Sequence, residues 1–485
     1  MNRDFVRPAA LLLMAAFFTG VLAKLLPAYS NDIFPIRKMS WFEALFDKQA
    51  PVDSLTMHHK TPEHASKELR PFIQKMRSMS PITGQSPLFD SSLLGKREKH
   101  IRIAYYSDSI IEGDLLTAPL RYKLQSVYGG QGVGMMPITS IVSGFRQTIQ
   151  HKFSRNWESI SFMNLDKNDV SLGITGYTFI PRPYYVASKT ISPVATDTLF
   201  SADSLRADSL ATKETEEPRT EITRFYVDYD PWVEYKGAGN AGGSPVFTRI
   251  KLFYSHASES SVVKVSYNSG PYEHKTLESG DELHALDISP DSPITTLKLE
   301  FSAHDPIHLY GVSFDEDKGV YVDNFPIRGY SGLYFQRIHE NTLSAFQRYL
   351  DYDLVVMQYG GNISNPKNTN YENYKLAMTR TIRHLQKALK DVPILVVSVH
   401  DRSIKDHGVY KTSPDIPLLV KAQGDVALDT GCAFWNLYEA MGGYNSMLGY
   451  VHQNPPLAGK DFTHFTRRGA DKIAELLIDF LRKEN

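Results

Sequence analysis

The sequence predicts an α/β domain with a parallel sheet, interrupted just after its first strand–helix unit by a β-rich insertion. Three observations carry that prediction. A strand-like run at 101–106 leads into an amphipathic helix at 114–127, with Leu116, Leu120, Leu124 and Val127 on one face. After about residue 320, apolar strands alternate with helical patterns, the rhythm of a parallel sheet with helices on both faces. In between, the texture changes to short β-type runs separated by Gly, Asn, Ser and Asp turns.

The elements follow in chain order. Arg3 and Arg7 precede an apolar run at 8–23, which Lys24 closes. Its length suits the apolar region of a signal peptide and is short for a membrane span. Val21-Leu22-Ala23 offers a cleavage site, whereas Leu25 to Tyr29 would extend an uncleaved segment. Residues 1–29 are therefore expected to be a signal peptide or an N-terminal membrane anchor, and the chain to be exported to a periplasmic or other extracytoplasmic location. Residues 30–95 are polar and weakly periodic, and predict a stalk with one helix near 68–79. The α/β domain is expected over 96–145 and 315–485. Its later part carries helices at 340–350, 373–389 and 467–481 and strands at 353–359 and 392–399, with Thr466 placed to cap the last helix. The insertion is expected over 146–314, with strands at 177–180, 245–254, 261–267 and 295–301. Residues 193–221, rich in Ser, Thr, Asp and Glu, predict a disordered loop.

Composition narrows the classes. With 485 residues, 42% of them apolar and 12% aromatic, the chain is globular and too long for one ordinary core. A net charge of −1 without a basic run gives no footprint for nucleic acid. Cys432 is the only cysteine, which excludes an intrachain disulfide and a paired-cysteine metal motif. His58, His59 and His64 have only Glu63 as local carboxylate company, so no metal site is expected. The Gly-rich run 129–134 follows a helix rather than a strand, which makes it a loop and not a phosphate cradle. No cofactor is expected.

The chemistry-bearing residues lie at the ends of these elements. Asp461 precedes His464 by three residues, just before the last helix. On a turn, that spacing can aim the carboxylate at the imidazole N–H, fixing the tautomer of a general base. Ser107-Asp108-Ser109 closes the first strand, at the sheet edge where α/β sites gather. Taken alone, that triplet is more simply a helix cap. Gly360-Gly361-Asn362 follows a later strand. His400-Asp401-Arg402 follows another, either lining a cleft or forming an ordinary loop. Of the 27 tyrosines and 4 tryptophans, Tyr184, Tyr185, Tyr226, Tyr229 and Trp232 suit sugar stacking. Packing in the sandwich core is the simpler expectation for most of them.

Together these residues resemble the SGNH/GDSL hydrolases. Ser107 to Asp114 is similar to block I of that family, Arg328-Gly329-Tyr330-Ser331-Gly332 to block II, Tyr359-Gly360-Gly361-Asn362 to block III, and Asp461-Phe462-Thr463-His464 to block V. The closest likeness is to the exported peptidoglycan O-acetylesterases and cell-wall O-acetyltransferases. Asp114 and the Ala433–Gly443 run, AFWNLYEAMGG, also match that subgroup. The resemblance implies a flavodoxin-like three-layer parallel sheet interrupted by a jelly-roll-like β-sandwich that is similar to carbohydrate-binding modules. It implies Ser109 as nucleophile, His464 as base and Asp461 as its orienting group. It further implies an oxyanion hole made by the amides of Ser109 and Gly332 and the side chain of Asn362, with Asp108 and Gly360 in support. Ser107 stands where the block I pattern has Gly, and its Cβ is expected to alter a sharp turn. Ile110 stands where the subgroup has His.

The implied function is removal of O-acetyl groups from a cell-envelope glycan through an acyl-Ser109 intermediate. Two alternatives stay open at this point. One is an O-acetyltransferase served by a multi-pass membrane acyltransferase. The other is a non-catalytic glycan-binding protein, which Ser107 would favour.

Overall fold

Five parallel strands form the central sheet: β1 (His100–Ser107), β2 (Gly319–Pro326), β3 (Leu354–Gln358), β4 (Ile394–Val397) and β5 (Ala433–Trp435). Their spatial order is β2-β1-β3-β4-β5, the flavodoxin-like arrangement, in which sites gather beyond the carboxyl ends of the strands. The computed structural model describes residues 63–82, 84–88, 100–164, 170–191, 219–239 and 243–483. The signal-peptide or anchor segment expected at 1–29 lies outside them, as do His58, His59 and residues 193–218 of the loop expected at 193–221. Residues 219–221, expected to be part of that loop, instead open a strand, Arg219–Tyr226. Among the described residues, no helix is long and apolar enough to cross a membrane.

Period-two alternation gives the sheet two buried faces. Ile101, Ile103 and Tyr105 of β1 point to one core, with Val320, Val322, Val356 and Val397. Three helices cover that face: α1 (Glu63–Ser78), α2 (Thr117–Tyr128) and α6 (Arg467–Lys483). Ala104 and Tyr106 point the other way, toward α3 (Glu340–Leu350), α4 (Glu372–Ala388) and α5 (Ile416–Thr430).

The α1 helix corrects the expectation of a stalk. Leu69, Phe72, Ile73 and Met76 are buried against the sheet, so this segment is part of the α/β layer. Three elements of these layers were not anticipated: β2, α5 and β5, the last only three residues long. The β2 strand hides its pattern because polar Asp323 and Asn324 are buried within it. The α5 helix is apolar on most of its surface, which leaves little periodicity to detect.

The insertion is two antiparallel sheets stacked about their own core, which holds Val233, Leu252, Val265, Leu299 and Phe314 among others. A two-stranded ribbon, Tyr184–Ile191 with Arg219–Tyr226, stands beside them. The insertion begins earlier than the expected residue 146, because Gly134–Met136 already pairs with His308–Asp315. A three-residue strand is too short to show alternation in sequence.

Two buried ionic knots fasten the insertion to the α/β layers. Arg102 of β1 donates to Asp323 (2.7 and 3.0 Å), Asp315 (2.9 Å) and Ser313 (3.0 Å). Asp114 accepts from Arg121 (2.8 and 2.9 Å), Arg146 (3.1 Å) and Thr148 (2.8 Å). Burial alone would raise the Asp114 carboxyl, but the two guanidinium groups hold it well below the usual carboxylate range. A buried charge is tolerable only when it is paired and hydrogen-bonded, and both knots meet that condition.

Candidate active site

At the carboxyl end of β1 the chain leaves the sheet through Ser107, Asp108 and a short 3₁₀ turn, Ser109–Asp114. Ser107 is fully buried and keeps an ordinary backbone conformation, so its Cβ costs nothing there. Its hydroxyl donates to the Gln358 carbonyl and ties the end of β1 to that of β3. The expected distortion from replacing glycine at 107 is therefore absent. The positive φ angles fall later, at Gly113 (65°) and Asp114 (67°), where the turn kinks before α2.

Asp108 links the nucleophile segment to the loop after β3. One carboxylate oxygen accepts from the Ile110 amide (3.1 Å), capping the turn, and the other accepts from Asn362 Nδ2 (2.9 Å). Burial pushes its carboxyl up to about 6, and the hydrogen bonds from Ile110 and Asn362 restrain that rise. Ser109 heads the turn, where first-turn amides lack partners within the helix. Its side chain is half-buried and faces His464.

Ser109 Oγ lies 3.3 Å from His464 Nε2, although the two residues are 355 positions apart. On the other side of the ring, His464 Nδ1 lies 2.7 Å from Asp461 Oδ2. Asp461 Oδ1 also accepts from the amides of Thr463 and His464, both at 3.1 Å. Burial tends to raise the Asp461 carboxyl, but these hydrogen bonds bring it below its ordinary value. The loop is pinned from below. Phe462, at a φ of 55°, is buried and stacks on Tyr410 at 3.8 Å between ring centres.

The two glycine loops close the other side. Gly332 has a φ of 81°, and a Cβ there would fall 2.5 Å from the Tyr359 ring. Gly360 has a φ of 134°, and a Cβ there would meet Val399 at 2.8 Å. Both positions need glycine for conformation and for space. The loops are joined by Asn362, whose Nδ2 also donates to the Tyr330 carbonyl (3.1 Å). Ser109, Gly332, Asn362 and His464 thus belong to one connected arrangement at the sheet edge.

Other expectations resolve differently. His400 does not line a cleft. It is buried, its ring is pushed down to about 4 by burial, and its Nε2 donates to the Thr463 carbonyl (2.9 Å) beneath the His464 loop. Asp401 is also buried and accepts from the Met447 amide (2.8 Å). Of the aromatics expected in the sandwich core, Tyr226 is 72% and Tyr229 43% exposed. Tyr185 stacks on Phe225 across the ribbon, and Lys298 sits over Trp232.

The sequence reading assigned no role to Glu112 and Arg328. They form an ion pair at 3.0 Å beside the site. Burial raises the Glu112 carboxyl, and the charges of Arg328 and His464 oppose that rise. Neither residue is singled out by spacing or periodicity, since the pair is made only when two loops meet.

No family model matches the chain, and no curated protein matches it by sequence. Among solved structures, the chain is similar to a peptidoglycan O-acetylesterase, at 17% identity and a TM-score of 0.58. The match covers 87% of this chain and 95% of that one, so the two share a fold, insertion included. Weaker likenesses are to an acetyl xylan esterase (18% identity, TM-score 0.26, 33% of this chain and 81% of that one). A family two carbohydrate esterase from Cellvibrio japonicus also matches (9% identity, TM-score 0.24, 69% and 98%).

Proposed function

We propose that this chain is a serine esterase of the SGNH/GDSL type that removes O-acetyl groups from a cell-envelope glycan. One observation carries the reading: Ser109, His464 and Asp461 form a continuous chain of contacts of 3.3 and 2.7 Å at the carboxyl edge of the parallel sheet. That is the geometry of a nucleophile, a base and an orienting carboxylate. The resemblance of the four sequence blocks and the fold held in common with a peptidoglycan O-acetylesterase support it.

In this reading Ser109 Oγ attacks the ester carbonyl carbon while His464 Nε2 takes its proton. Asp461 holds the Nδ1–H and stabilises the imidazolium. The oxygen that gains the electron pair is met by the amides of Ser109 and Gly332 and by Asn362 Nδ2. Both Asn362 amide hydrogens have acceptors, Asp108 and Tyr330, so donation to the oxyanion exchanges one of them. Collapse breaks the bond to the sugar oxygen, which leaves with the proton from His464. Water then attacks the acetyl-Ser109 carbonyl, with His464 as base, and releases acetate. Each oxyanion donor contributes about 3 kcal/mol to lowering the barrier. Export, proposed from the N-terminal apolar run, would place this activity beside its glycan.

The test is acetate release from O-acetylated peptidoglycan and from an activated acetyl ester. The reading expects release by the wild type and none above background by Ser109→Ala. Equal release by the two proteins would end it.

A further inference from the structure

The segment that follows β4 runs beneath the loop carrying Asp461 and His464, and its own position is firmly tied. The Val399 amide donates to Gln423 Oε1 of α5 (2.7 Å), and the Arg402 carbonyl accepts from the Ser413 amide (2.8 Å). Asp401 accepts from the Met447 amide (2.8 Å) and the Ser446 hydroxyl (3.3 Å) at the start of the helix Ser446–His452. His400 sits among these ties, buried, with its ring 5.2 Å from that of Phe465 between centres.

Three consecutive carbonyls of the base loop are each met by a donor. That of Phe462 accepts from the Ser403 amide (3.2 Å), that of Thr463 from His400 Nε2 (2.9 Å), and that of His464 from the Gly459 amide (2.8 Å). Only the donor to Thr463 is a side chain, so it alone can be removed by substitution. The peptide unit it holds is the one that leads into His464. The N–H of that unit donates to Asp461 Oδ1 (3.1 Å) while its C=O accepts from His400. A peptide is planar, so holding it at both ends fixes the direction in which the chain enters His464. From there the imidazole reaches to 3.3 Å from Ser109 Oγ. A carbonyl oxygen only accepts, so His400 carries a proton on Nε2.

We infer that His400 is a positioning residue, which holds the Thr463–His464 peptide and thereby sets the reach of the proposed base to Ser109 Oγ. The inference rests on the serine-esterase reading and adds to it a residue outside the triad and the oxyanion hole. A histidine that served the fold alone would change stability and leave the turnover of folded protein as it was.

The experiment compares full-length wild type, His400→Leu and His400→Gln in steady-state turnover of 4-nitrophenyl acetate, with the folded fraction of each measured by circular dichroism. A misplacement of about 1 Å costs about 10²-fold, so kcat per folded molecule should fall roughly 10–10²-fold in His400→Leu. KM should stay within about twofold, because the base acts in the chemical steps. The Gln side chain offers an amide donor to the same carbonyl, and His400→Gln should recover most of the loss. Wild-type kcat in His400→Leu, a change in KM alone, or a His400→Gln no better than His400→Leu would each overturn the positioning role. Nitrogen NMR of histidine-labelled wild type needs no variant to fold: it should show the His400 proton on Nε2, and a proton on Nδ1 alone would overturn the role. Acetate release by the wild type is measured separately. An inactive wild type ends the esterase reading, whereas an active one with unimpaired His400→Leu ends the positioning role alone.

Discussion

The two halves of the proposed triad are built differently. On the nucleophile side, Ser107 and Asp108 are buried, and their side chains tie the end of β1 to β3 and to Asn362. On the base side, the Asp461 and His464 side chains are about half exposed, and buried neighbours such as Phe462 and His400 hold their loop. The nucleophile thus rests on the fold's own core, whereas the base rests on a surface loop. Substitutions on the base side should therefore alter turnover alone, and those on the nucleophile side should alter turnover and stability together.

The largest effect should come from His464→Ala, which removes the base without disturbing any buried group. Turnover of 4-nitrophenyl acetate is expected to fall at least about 10⁴-fold, with the urea midpoint unchanged. Asp461→Asn should cost less, on the order of 10³-fold. A buried triad Asp is worth about 10⁴, and a half-exposed one is partly replaced by water. Unchanged activity in either variant would break the base side of the comparison.

Asn362→Ala tests the other side. Losing one oxyanion donor should slow turnover about 10²–10³-fold. Leaving one buried Asp108 oxygen without its donor, while the other keeps the Ile110 amide, should also lower the unfolding free energy by roughly 1–3 kcal/mol, measured by urea titration. A loss of rate with no loss of stability would show the two sides to be alike.

The smallest effect is in pH dependence. The Asp108 carboxyl is held at about 6, against 3.8 when unperturbed. The folded chain therefore keeps this proton over a window in which the unfolded chain has released it. Sign follows from that: the stability this group contributes is greatest below about pH 4, declines as pH rises to about 6, and is flat above. Wild type should lose roughly 1–3 kcal/mol more than Asp108→Asn between about pH 4 and about pH 7. A wild-type stability curve parallel to that of Asp108→Asn would show that burial does not govern this carboxyl.

How legible these features were in sequence follows the same division. The alternation of HIRIAYYS in β1 and the amphipathic face of α6 are local signals, and both elements appear where the pattern places them. The positions of Ser109, Gly332, Asn362, Asp461 and His464 came from short motifs at element ends, and the fold gathers them at one sheet edge. What sequence hid depends on long-range partners. Asp323 interrupts β2 because Arg102 and the Met135 amide satisfy it in the core. The α1 segment looked like a stalk because its polar outer face dominates its composition, while four apolar residues face the sheet.

The central claim is that Ser109 Oγ carries the acyl group. Acid-quenching the enzyme during turnover of 4-nitrophenyl acetate, followed by peptide mass mapping, tests it most directly. The account predicts an acetyl group on the peptide bearing Ser109, absent in Ser109→Ala. Full turnover with Ser109 never acetylated would contradict it.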